Sequence, residues 1–470
     1  MGTENNHCTE LPNADYNNKQ SGANNINENN SQSISVETST NFIENSGRIL
    51  PQNIDLCNKS LNNDDITKIP IIIDENNVID GAKEIIKVIR NDWNLNNVKF
   101  KFFTDGITNK LVGCFYNKSQ LLSSTSSLSQ STILSTTSET SNKYNNTIES
   151  SHKITVNNEN GSFDTSDNNI DIVLIRVYGN NTELLIDRKA EQRNIRLLHS
   201  YGFAPQLFAT FKNGLAYEYV PGCTLTPLTV IQPKIWTLIA QRMADMHKVK
   251  LSIILNQNNI KFNKNEIEPM LWRKTQILLN LIPEKFSDKI KHDRVSKIFS
   301  SISALRKEFE ELYKILEKLD SPLVFCHNDL LLGNVIYNEN SNRVTFIDYE
   351  YAEINYQGFD IGNHFAEFTG IEVDEIDYKR YPSKEFQFEW LEVYLKSYLE
   401  ITEVPKQNIE KLYIESNQFA LAAHLFWAIW GLVQAENSKI DFDFVKYSQI
   451  RYEEYLNKKD EFLSLKMQNL

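Results

Sequence analysis

Apolar positions along the chain fall into two regimes, divided by a Pro-Gly step. From about 68 to 220, apolar runs of strand length dominate: "LVGCFY" (111–116), "IDIVLIRVYG" (170–179), and the pair "LFATF" and "LAYEYV". The last two flank "KNG" (212–214), a hairpin signal. Helical spacing enters this region over 78–93 and again over 188–202, an amphipathic stretch closed by Gly202. After "PGC" (221–223) the period becomes mostly helical, predicting helices at 234–248, 268–281, 301–319, 385–400 and 407–433. Two strand-like runs persist there, "NVIY" (334–337) and "RVTFID" (343–348), joined by the turn-rich "NENSN". No internal repeat occurs.

Two tracts break the pattern. Residues 1–65 are rich in Asn, Ser and Glu, and too poor in apolar residues to offset chain entropy, so they are expected to be disordered. A second low-complexity tract, 117–169, separates two strand-like runs and reads as a loop insertion within a hairpin. The ordered remainder predicts an α+β, two-lobe arrangement: a small β-rich lobe over 66–220, a hinge, and a larger, mostly helical lobe over 221–470, with a cleft between them.

Composition narrows the possible partners. At 470 residues the chain exceeds a single ordinary core. Its formal charge of −12 makes it a poor nucleic-acid binder, and no polybasic stretch is present to hold anionic lipid. An acidic pocket would favour a small cationic substrate. Five cysteines, at 8, 57, 114, 223 and 326, form no C-x-x-C pair and fit a reducing, cytoplasmic setting. The N-terminus has no apolar signal region, and Asn6 stands where a myristoylation pattern needs Ser or Thr. The longest apolar run, 419–433, is too short to span a bilayer and contains His424, so it reads as a buried helix and no membrane insertion is expected.

The chemistry centres on "HNDLLLGN" (327–334). A hairpin folded about residue 341 brings Asn334 almost opposite Asp348, with Asp329 in the loop leading in. Two carboxylates and an amide oxygen at one end of a hairpin are hard ligands suited to Mg²⁺. The spacing is that of a kinase catalytic loop, H-x-D-x-x-x-x-N followed by a metal-binding Asp. Turn-capping is the plainer role for such residues, and the downstream Asp348 weighs against it. Upstream, "FTDGITNKLVG" (103–113) has the small polar residues of a phosphate-covering loop, although an ordinary turn has the same composition. Arg176 lies among apolar residues, where an unpaired charge is costly, and Glu191 is an available partner on the next helix. Trp427 and Trp430 share a helix face near an acid- and aromatic-rich region (349–368), a combination that suits an organic cation as well as a packed core. His327, His364 and His424 show no metal-ligand spacing and read as packed histidines.

"FCHNDLLLGNVIYN…VTFIDYEYAEINYQGFDIGNHFAEF", together with "TDGITNKLVGC", "VLIRVYGNNTELLIDR" and "FALAAHLFWAIWGLVQA", resembles the choline/ethanolamine kinase family, which has a protein-kinase-like two-lobe fold. The resemblance runs over roughly 100–455, the insertion excepted. It implies ATP- and Mg²⁺-dependent phosphorylation of a small amino alcohol, with 66–220 as the ATP-binding lobe. It also implies Asp329 as base, with Asn334 and Asp348 as metal ligands. Asp105, Gly106, Ile107, Thr108, Asn109 and Lys110 then form the ATP loop, with Arg176 on the phosphates and Glu191 its partner. Tyr217, Glu218, Tyr219 and Val220 contact adenine, and Tyr351, Glu367, Trp427, Trp430 and Tyr447 form the amine pocket. Leu331, where choline kinases more often carry Gln, points to ethanolamine; Gly358 is the choline-like feature. Ethanolamine is the expected acceptor and choline the alternative. A sugar- or antibiotic-directed phosphotransferase of the same fold is disfavoured by "DIGNHFAEF". A non-catalytic nucleotide-binding scaffold predicts damage to Asp329, Asn334 or Asp348, and all three are intact. The resemblance is compatible with a homodimer.

Overall fold

The computed structural model describes residues 66–103, 109–118, 169–179, 182, 185–257, 267–370 and 373–467. The 1–65 tail, the insertion at 119–168 and Asp105, Gly106, Ile107 and Thr108 of the expected ATP loop lie outside them.

Six strands form the first lobe's sheet: β1 (Thr67–Ile69), β2 (Lys99–Phe103), β3 (Asn109–Asn117), β4 (Ile170–Tyr178), β5 (Leu207–Phe211) and β6 (Gly214–Glu218), ordered β1-β5-β6-β4-β3-β2. β3 and β4 pair antiparallel from Asn109↔Tyr178 to Asn117↔Ile170, so the low-complexity tract does interrupt a hairpin. Helix α1 (Val78–Ile89) covers one face through Ala82, Ile85 and Ile86. It ends short of the expected 93, where Trp93 leaves the helix to stack on Tyr116 at 4.9 Å. Helix α2 (Arg188–Ser200) begins at Asp187, whose carboxylate accepts from the N–H groups of Lys189 and Ala190. It ends at Gly202, whose φ of +72° is the left-handed conformation that glycine adopts without strain.

Beyond the short strand β7 (Cys223–Thr224) lie helices α3 (Pro233–His247), α4 (Leu251–Gln257), α5 (Met270–Leu281), α6 (Lys289–Ile298) and α7 (Ile302–Leu316). Next come strands β8 (Leu323–Cys326), β9 (Val335–Asn338), β10 (Arg343–Phe346) and β11 (Glu353–Tyr356), then α8 (Gln357–Ala366), α9 (Lys384–Leu399), α10 (Lys406–Asn437) and α11 (Phe444–Leu463). The five helices predicted from spacing are present as α3, α5, α7, α9 and α10. Spacing did not predict helices α4, α6, α8 and α11 or strands β7, β8 and β11; the strands are too short to show a period, and α11 mixes polar and apolar residues around its axis.

Helix α10 is buried on every side from Leu412 to Ala435, so its apolar character all round belongs to a core helix. It is long and apolar enough to cross a membrane, but all of that apolar stretch is covered by the protein itself.

Candidate active site

Two strand pairings build the site. β9 and β10 pair as Val335↔Phe346 and Asn338↔Arg343, and the Ile347 N–H donates to the Asn334 carbonyl at 3.0 Å. Asp348 is therefore the next residue beyond Asn334's partner. β8 and β11 pair with Cys326 opposite Glu353, which brings the 327–329 loop beside the turn 349–351. Asp348 and Asn328 occupy the left-handed region at φ +62° and +67°. Such backbone is uncommon outside glycine and clusters at functional sites.

Asp360, at the start of α8, anchors the loop. Its Oδ1 accepts from the Asn328 N–H at 2.7 Å, and its Oδ2 from the His327 N–H at 2.9 Å. The same Oδ2 pairs with His247 Nε2 at 2.9 Å. Asn328 then bonds the carbonyls of Tyr351 and Glu353, and His327 Nε2 contacts the Ile347 carbonyl at 2.9 Å. His327 and His364 are buried and hydrogen-bonded, and His424 packs against the Tyr378 ring. Burial holds all three below the ordinary histidine range. Their role is packing.

Asn334 Nδ2 donates to the Asp329 carbonyl at 2.9 Å and lies 3.4 Å from its carboxylate. This leaves Asn334 Oδ1 with no hydrogen-bond donor among the described residues. Burial first, then repulsion from Asp348, Glu367 and Glu350, pushes the Asp329 carboxyl well above the usual carboxylate range, with Arg451 opposing.

Arg176 enters from β4. Its Nη1 donates to Asp348 Oδ1 at 2.6 Å and its Nη2 contacts Glu191 and, at 3.7 Å, Glu350. Burial works against this cation, but Asp348 and Glu350 outweigh it and keep the guanidinium charged. Arg176 and Glu191 are both buried, so this is no surface salt bridge. Sequence reading missed two members of the network, Arg188 and Glu350. Arg188 Nη1 lies 3.0 Å from both Glu191 and Glu350, Nη2 donates to Thr182 at 2.6 Å, and the guanidinium covers the Tyr178 ring at 3.8 Å. Charged residues inside the apolar surroundings of 170–191 and 344–352 were the signal for both.

Of the expected ATP-loop residues, Asn109 reaches Arg188 and Glu350 at 3.4 Å. Lys110 turns away and donates to the Glu75 carbonyl at 2.8 Å. In the expected adenine segment, Tyr217 pairs with Leu174 within the sheet, and burial raises its phenol to about 12. The Glu218 N–H is already bonded to the Gln206 carbonyl at 2.9 Å. Tyr219 and Val220 follow, half-buried, at the strand's exit.

The expected amine-pocket residues converge. Trp427 stands edge-on to Tyr351 at 5.4 Å and to Trp430 at 5.5 Å, and Trp430 faces Tyr447 at 6.1 Å. Trp430 Nε1 donates to the Tyr351 hydroxyl at 2.8 Å, and Trp427 Nε1 to Asn363 Oδ1 at 2.8 Å. Glu367 accepts from Arg451 at 2.8 Å.

Gly358 lies elsewhere, where α8 meets α10. A Cβ there would come within 2.9 Å of the Phe419 ring and 3.1 Å of Glu415 Cβ. Helix packing explains this glycine, which says nothing about the acceptor. Gly358→Ala is expected to lower unfolding stability by about 1–3 kcal/mol through overpacking while leaving acceptor preference unchanged. Urea denaturation beside steady-state rates checks both halves.

Residues 100–456 match the choline/ethanolamine kinase family model. An ethanolamine kinase of Drosophila melanogaster is 48% identical over 430 residues, covering 84% of this chain and 80% of that protein. Ethanolamine kinase 1 of Homo sapiens is 38% identical over 398 residues, covering 84% and 75%. Among solved structures, a Plasmodium vivax ethanolamine kinase superposes with a TM-score of 0.62 at 22% identity, over 88% of this chain and 96% of that one. That likeness shows the shared fold, a sheet lobe followed by a mostly helical lobe.

Proposed function

The chain belongs to the choline/ethanolamine kinase family, and from that premise we propose that it transfers the γ-phosphoryl group of ATP to the hydroxyl of ethanolamine. The product is phosphoethanolamine, the entry to phosphatidylethanolamine synthesis. The observation that carries the chemistry is the hairpin register that sets Asn334 and Asp348 side by side with Asp329 at the same end. The acceptor follows the relatives' activity and Leu331.

Asp329 orients the ethanolamine hydroxyl and takes its proton as the oxygen attacks the γ-phosphorus. The bond to the bridging oxygen breaks and ADP leaves. A carboxylate made more basic by its surroundings suits this task. Asn334 Oδ1 and Asp348 are the oxygen donors suited to Mg²⁺, which neutralises phosphate charge when bound. Arg176, held charged by its acids, faces the phosphates. Tyr351, Trp427, Trp430 and Tyr447 offer ring faces to the ammonium, and Glu367 offers it a carboxylate.

The acceptor is tested by steady-state rates. kcat/KM should be clearly higher for ethanolamine than for choline, and the reverse order would overturn the assignment. Asp348→Ala should weaken Mg·ATP by at least roughly 10- to 100-fold, the loss seen even for residues that merely support metal ligands. Titration of Mg·ATP into the variant measures it, and unchanged affinity would remove Asp348 from the metal site.

A further inference from the structure

Arg451 follows Tyr447 by four residues on α11, so the two share a helix face. Its side chain is only 2% exposed, yet it bears a full charge. Nη1 donates to Glu367 Oε1 at 2.8 Å, and the guanidinium carbon stands 5.9 Å from the Tyr447 ring centre. Nε and Nη2 find no acceptor among the described residues. Tyr378, His424, Glu454 and Asp329 are the other titratable groups that feel this charge. If the pair served only to staple α11 onto the turn after α8, an apolar pair would do as well, since buried ion pairs are often no better than well-packed apolar replacements. Two unpaired buried nitrogens, bearing three N–H groups between them, add to that cost.

We propose that Arg451 is a positioning residue that orients Glu367 for a primary ammonium and thereby sets the preference for ethanolamine over choline. The inference rests on Glu367 and its aromatic neighbours forming the acceptor wall. Arg451 occupies Glu367 Oε1 and so fixes the direction in which Oε2 is offered. A primary ammonium, with three N–H donors, gains a charge-assisted hydrogen bond from an oriented oxygen. A trimethylammonium has no N–H and gains only ring and charge attraction. The guanidinium also offsets the carboxylate's charge. Attraction common to both cations is thereby reduced, and the directional hydrogen bond is left to discriminate.

The test is steady-state kinetics of the full chain as R451Q and R451K, with ethanolamine and with choline. R451Q should lower kcat/KM for ethanolamine about tenfold, the worth of one charge-assisted hydrogen bond. The loss should come mainly through KM, with choline's kcat/KM not lowered, and raised where the freed carboxylate charge attracts it, and with the KM for ATP nearly unchanged. R451K should restore most of the loss. In an E367Q background R451Q should add nothing further. R451M, whose apolar side chain buries more readily, replaces R451Q if that variant does not fold, with the same expected ratio. An equal loss for both amines, or effects of R451Q and E367Q that multiply, would reduce Arg451 to a structural staple and overturn the proposal. A wild-type protein that phosphorylates neither amine would instead sink the proposed function. Wild-type activity with an unchanged ratio in the variants sinks only this inference.

Discussion

Asp329→Ala is expected to lower kcat by about 10²- to 10⁴-fold, the usual worth of a positioned general base, while ATP binding stays near wild type. The asymmetry comes from what each group touches. In the proposed mechanism Asp329 faces the acceptor hydroxyl, and the nucleotide is the business of Arg176, Asn334 and Asp348. The loop is held from behind by Asp360 through backbone N–H groups that the substitution leaves in place. Single-turnover rates with ethanolamine, beside calorimetric titration of ATP, separate the two effects. Near-normal turnover would show that Asp329 is not the base. Lost ATP affinity at equal turnover would move it to the metal site.

Asp360→Ala carries the largest expected loss of stability, about 3–5 kcal/mol, the cost of leaving several buried hydrogen-bonding partners of one carboxylate unsatisfied at about 1–3 kcal/mol each. The carboxylate is fully buried and accepts two backbone N–H groups while pairing with His247. Truncation leaves all three partners without an acceptor in a site closed to water. Burial acts to raise the Asp360 pKa, but His247, His327 and the backbone donors outweigh it and hold the carboxyl below its ordinary value. A depressed carboxyl contributes stability that is full above its unfolded pKa, near 3.9, and is lost as pH falls through the lower folded value. The destabilisation should therefore persist across neutral pH. Urea unfolding at pH 7 measures it, and a change below about 1 kcal/mol would show that the 327–329 loop is held by other contacts.

The legible parts of this protein were those set by short spacing. Helices α3, α5, α7, α9 and α10 each carried several turns of apolar period. The β9–β10 hairpin was readable because its turn lies only four residues wide between Asn338 and Arg343. From that register the neighbouring positions of Asn334 and Asp348 followed directly. Arg176 was found by a different signal, a charge within an apolar strand that had to be compensated somewhere. Glu350 and Arg188 carried the same signal more faintly, and Arg451 carried none, since a cation on a mixed helix face looks like any solvated residue.

The sequence by itself therefore determined the two-lobe order of elements, the catalytic hairpin and the aromatic face of α10. All of these depend on chain spacing within one element or one turn. Only the tertiary structure decided which charges meet. Arg176 reaches Asp348 across 172 residues, Asp360 sits under the loop 32 and 33 residues before it, and Arg451 reaches back 84 residues to Glu367. These partners are chosen by how helices and sheets dock, and docking depends on the shape of whole buried faces rather than on the spacing along any one of them.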